Sequence, residues 1–103
     1  MIRIYLSAAL GDVEALAAGQ AVTADVFMPA SEDEEGEFAA FGEAAQHGPV
    51  VIAADVEVVG APVTIDNVAS FHVGLDDSGD LAWFATQEID AVLLALKSTP
   101  FPT

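Results

Sequence analysis

Apolar residues recur along the chain with two different periods, and each change of period marks a new element. Ile2, Ile4 and Leu6 alternate with Arg3 and Tyr5, which at period two puts the aliphatics on one face of a strand and the Arg-Tyr pair on the other. Gly11 and Asp12 then open a short helix carrying Val13, Leu16 and Ala17 at helical spacing, and Gly19 stops it. Alternation returns from Val22 to Met28, with Val22, Ala24, Val26 and Met28 on one face and Thr23, Asp25 and Phe27 on the other, before Pro29.

A second helix follows, with Ser31 as its N-cap, acids crowding its first turns, Phe38, Phe41 and Ala45 on one stripe, and Gly48-Pro49 closing it. His47 falls at its end, where a cation suits the helix dipole. Val50 to Val58 is the strongest strand: Val50, Ile52, Ala54, Val56 and Val58 face one way, and Val51, Ala53, Asp55 and Glu57 the other. Val63 to Ile65 fits a short edge strand, and Asp66-Asn67 a single turn ahead of a strand from Ser70 to Leu75. Asp76 to Gly79 has hairpin-loop chemistry, so Leu81 to Ala85 is the returning strand. That register sets His72 opposite Trp83 and Phe71 opposite Phe84. Ile89, Val92, Leu93 and Leu96 then define a last helix ending at Lys97, ahead of Pro100 and Pro102. A single helix from Leu81 to Lys97 is the rival reading, since Leu81, Phe84, Ala85, Ile89 and Val92 also fit the helical period.

The order β-α-β-α-β-(β)-β-α predicts one α+β domain over residues 1–103, a two-layer sandwich. Its mixed sheet has four to five strands, with about three helices on one face. The uncovered face would carry Arg3, Tyr5, Phe27, His72, Leu81 and Trp83, an aromatic patch of the kind that is rarely left bare. Contact with a protein is its leading use, followed by shielding by the C-terminal segment and by a small-molecule site. Thr86 stands where the last strand meets the last helix, so its hydroxyl is placed to cap the amide of Glu88 or Ile89.

Charge changes the picture more than composition does. With 53% hydrophobic residues in 103 the chain can bury one core, yet it has 17 Asp and Glu against two cations, for a net charge of −15. That balance excludes direct binding to nucleic acid and to anionic membranes. It leaves salt adaptation, attraction to a basic protein, and imitation of a nucleic acid as readings of the acidity. There is no cysteine, hence no disulfide or thiolate chemistry. The opening reads as a strand and not a signal peptide, and the longest uncharged apolar run is far too short to span a bilayer, so the cytoplasm is the expected compartment.

Catalytic and metal motifs are missing. No phosphate-binding Gly-Lys loop, paired-histidine helix or nucleophile elbow occurs, and neither the acids from Glu32 to Glu37 nor Asp76 to Asp80 have EF-hand spacing. Ser70 and His72 share a strand face but lack a third orienting group. No cofactor, metal or catalytic residue is expected.

Four stretches in series, Arg3 and Tyr5 in the first strand, Glu37-Phe38-Ala39-Ala40, Ala53 to Val56, and Trp83-Phe84-Ala85-Thr86-Gln87-Glu88, cover nearly the whole chain. Through them it resembles a family of small actinobacterial proteins with a domain of unknown function. Phe84 stands where the family usually has Tyr, so no role of that phenol carries over. The resemblance implies the same small α+β fold and a bacterial cytoplasmic setting, and it brings no activity. The leading functional expectation is therefore a noncatalytic protein-binding or regulatory module that self-associates through the open sheet face. The alternative is a ligand-binding protein or enzyme using Arg3, His72 and Glu88 on that face, with nucleic-acid mimicry third.

The acidity itself generates a test. Added salt screens repulsion among 17 acids, so the melting temperature should rise between low and roughly physiological ionic strength. A melting temperature that falls as salt is added would show that the acidity is not a net internal repulsion.

Overall fold

A computed structural model describes residues 2–28, 34–74 and 81–98. Strands β1 (Ile2–Ala8), β2 (Asp25–Phe27), β3 (Val50–Val56), β4 (Val68–Gly74) and β5 (Leu81–Ala85) form one sheet in the order β2-β1-β3-β4-β5. Helices α1 (Leu10–Ala17), α2 (Glu34–Ala45) and α3 (Ile89–Ser98) complete the fold, with single 3-10 turns at Ile65–Asn67 and Thr86–Glu88. The α+β class, the five-stranded sheet and the three helices follow the sequence expectation, and Leu81 to Ala85 is strand and not the start of a long helix. The expected cap at Ser31, the hairpin loop at Asp76 to Gly79 and the terminal prolines lie outside the described residues.

Two details differ from expectation. Every strand pair is antiparallel, where a mixed sheet was expected. Alternation fixes the face of a side chain, whereas the connection fixes the direction of the strand. The helices, moreover, divide between the two faces. On one face Ile4, Leu6, Val50, Ile52, Ala54, Phe71 and Val73 pack with Val13 and Leu16 of α1 and Val92 of α3. On the other, Tyr5, Val51 and Ala53 pack beneath Ala40 and Ala44 of α2. The cause is β3, which is buried on both sides and so needs cover on both.

Local chemistry fixes the ends of these elements. Helix α1 stops in a Schellman turn: Gly19 takes φ 81°, its N–H donates to Leu16 and the Gln20 N–H to Ala15, at 3.0 and 2.9 Å. The helix begins with Asp12 Oδ2 accepting the Ala9 N–H at 2.9 Å. The expected strand from Val22 to Met28 is shorter, because Val22 makes an isolated bridge to Val63 and only Asp25–Phe27 joins β1. Val63 accordingly belongs to that bridge, and Ile65 already begins a 3-10 turn.

A bulge sits in β4: Ala53 pairs with Ser70 and Ala54 with Val68, leaving Ala69 as the extra residue. The insertion flips the phase, so Val68 joins Phe71 and Val73 in the larger core while Ala69 packs on the α2 side. Thr86 is tied to this bulge. Its hydroxyl donates to the Val68 carbonyl at 2.7 Å, and the turn that it begins has Ala85 in the N-cap position. Glu88 secures the same start, its Oε1 accepting the Ala85 N–H at 2.9 Å.

Gly48 is needed for close approach. A Cβ there would lie 2.6 Å from Ser7 Oγ and 2.9 Å from the Ala8 carbonyl oxygen. Ser7 Oγ is itself buried with no hydrogen-bond partner among the described residues. Gly48→Ala should therefore cost about 1–3 kcal/mol of stability in urea denaturation, the usual range for overpacking. Adding Ser7→Ala should recover part of the loss, since it removes the nearest clashing atom. A fully stable Gly48→Ala protein would mean that the turn between α2 and β3 does not press on β1.

Candidate functional site

The face carrying α2 is laid out by strand register. One row runs Phe27, Tyr5, Ala53, Ser70, Ala85, and the next runs Asp25, Ser7, Val51, His72, Trp83. Helix α2 lies over β1, β2 and β3, and among the described residues no other helix covers the β4–β5 margin of this face. The expected bare face is therefore covered over more than half its width.

Within the covered part, Tyr5 is only 8% exposed and meets Phe41 edge-on, with ring centroids 6.0 Å apart. Phe27 is stacked on His47 at 5.2 Å, so the His47 ring serves an aromatic contact. Arg3 faces Asp55 across β1 and β3, its Nε donating to Oδ1 at 2.6 Å and its Nη2 to Oδ2 at 3.2 Å. This hydrogen bond raises the Arg3 pKa and holds the Asp55 carboxyl below the usual carboxylate range. Both groups are more than a third exposed, so solvent screening keeps the pair to about 0–1 kcal/mol of stability.

At the border between covered and bare lies His72. Its Nε2 is 2.9 Å from Ser70 Oγ, and its ring meets Phe41 edge-on at 4.8 Å. Burial lowers its pKa, so the imidazole is held neutral and can either accept the Ser70 proton or donate its own, according to tautomer. A Ser-His pair becomes nucleophilic when a carboxylate orients the ring. Here the ring's neighbours are aromatic: Phe41 above and Trp83 opposite on β5. Trp83 is 61% exposed, and Leu81 is half-buried against the α2-side core.

The six expected surface residues thus do share one face, but Tyr5, Phe27 and Leu81 pack into the α2-side core whereas Trp83 stands exposed. The polar trio considered for ligand chemistry is dispersed among other partners: Arg3 on Asp55, His72 on Ser70, Glu88 on a backbone amide. Among the described residues no three His, Asp or Glu converge as metal donors. No helix there is long and apolar enough to cross a membrane. The sequence reading missed the Phe41 cover, whose signal was present in the small residues Gly36, Ala40 and Ala44 spaced four apart. Comparison of the chain with protein-family models, curated proteins and solved structures finds no match.

The His72 environment predicts a pH effect of definite sign. Its folded pKa lies below the ordinary imidazole value of about 6.5, so the unfolded chain binds the proton more readily. Stability from its neutral burial is complete above that value and is lost as pH falls from there through the folded pKa. Between pH 7.5 and 5.5, wild type should accordingly lose more stability in urea than His72→Gln does, a comparison in which the carboxylates cancel. Equal losses in the two proteins would place His72 in solvent.

Proposed function

We propose that this protein is a noncatalytic protein-binding module whose contact surface is the β4–β5 margin, centred on Trp83. The observation that carries the reading is the exposure of Trp83, 61% on a paired strand in a fold that otherwise uses its neighbours. Phe84 packs in the larger core, Thr86 holds the bulge, and Glu88 caps the turn, which leaves Trp83 as the large residue of this stretch that stands exposed. Indole rings are enriched at the centres of protein interfaces, where their area converts to binding energy.

Kinship with the actinobacterial family is part of the same proposal, since its Trp-aromatic-Ala-Thr-Gln-Glu step coincides with this turn. Self-association through a wholly open face contracts to the same margin, because α2 occupies the rest.

Trp83 is the single tryptophan, so it both makes the surface and reports on it. Trp83→Ser should change folding stability by no more than about 0.5 kcal/mol, as surface substitutions do. It should abolish the complexes that wild type forms with itself in sedimentation or with other proteins in pull-downs. If Trp83→Ser unfolds the chain, or if wild type remains a monomer and retains nothing that the variant does not, the reading is wrong.

A further inference from the structure

Strand β5 ends the sheet. It is five residues long against three for β2 at the opposite edge, and among the described residues β4 alone pairs with it, on one of its two sides. Such an edge offers alternate N–H and C=O groups to an added strand. The side chains of β5 would sort that strand by period two. Trp83 and Leu81 lie on the margin left by α2, whereas Phe84 packs with the core beneath α3.

Charge selects the occupant. The chain carries −15, and both of its cations are already engaged, Arg3 with Asp55 at 2.6 Å and Lys97 with Glu14 at 4.0 Å. Exposed Glu88 and Asp90 lie in the turn and the helix start that come after β5. A second copy would bring another −15 to the same place, whereas a cationic strand meets no competing cation and finds an exposed indole face, the best cation-π acceptor among side chains.

From these observations we propose that β5 accepts an extended cationic segment of a partner protein as a sixth strand, its Lys or Arg side chains lying over Trp83 and its intervening aliphatics beside Phe84. This rests on the protein-binding reading above and specifies the partner's chemistry and mode of docking.

The test uses the full chain and a blocked nine-residue peptide of alternating Lys and Val, followed by calorimetry and by Trp83 fluorescence. Two further peptides carry backbone N-methyl groups on every Lys or on every Val, keeping charge and side chains but removing one edge of N–H donors at a time. A Glu-Val peptide is the control. The parent should shift Trp83 emission to the blue and bind at least about tenfold more tightly than one of the two methylated forms. Binding should also weaken at least about tenfold for Trp83→Ser by calorimetry, and the Glu-Val peptide should not bind.

Equal binding by all three cationic peptides would reduce the effect to bare charge attraction and overturn strand addition. Failure of the parent to bind, alongside Trp83-dependent self-association, would overturn the cationic occupant while leaving the protein-binding reading standing. Emission from the free chain already typical of a buried indole would put the chain's own tail or a second copy on the edge, and would overturn the proposal as well.

Discussion

The structure depends on one strand that is buried on both sides over most of its length. Val50, Ile52, Ala54 and Val56 of β3 enter the larger core, and Val51 and Ala53 enter the smaller one, so neither face of the middle of the sheet can meet water. Burying these side chains is worth about 1.5–3 kcal/mol for each valine or isoleucine, an amount recovered only if a helix lies on each side. From this follows the division of labour among the helices. Two pack with each other on the larger core, and the third goes alone to the other face.

Geometry then decides what is left over. Five strands at about 4.8 Å spacing make a sheet about 19 Å across, whereas one helix with its side chains is about 10–12 Å wide. A pair of helices can roof that width and a single helix cannot. Helix α2 settles over β1 to β3 because its inner row, Gly36, Ala40 and Ala44, is small enough to approach Val51 and Ala53 closely, with Phe41 alongside to cover Tyr5 and reach His72. Trp83, two strands away from β3 in the sheet order, stands beyond the roof. Its exposure is thus a consequence of helix number and placement and not of a local irregularity.

The same features explain what could be read from the sequence. The His72-Trp83 and Phe71-Phe84 pairings were legible because a hairpin between two alternating runs admits few registers. The faces of β1, β2 and β3 were legible for the same reason. The side taken by α2 was not, because its sheet-facing row is glycine and alanine, which carry little hydrophobic signal, and because Val51 and Ala53 share their face with Asp55 and Glu57 and so look half-polar. Thr86 shows a different limit. A threonine at a strand-helix junction has the chemistry of a cap, but the β4 bulge placed a carbonyl within 2.7 Å of it, and no sequence pattern announced that bulge.

Placement of charge follows from the scarcity of cations. With two basic side chains, most of the 17 acids cannot find a partner of the usual kind, and some turn to the backbone instead. Asp12 accepts the Ala9 amide ahead of α1, and Glu88 accepts the Ala85 amide ahead of α3, each at a helix start where unpaired N–H groups supply partial positive charge. These carboxylates secure the amide of the N-cap residue, the acidic half of a capping box, while the Thr86 hydroxyl bonds Val68. Acids that face solvent can be neutralised from outside, by salt or by a cationic molecule, and the margin around Trp83 is where such a molecule would also find apolar surface to cover.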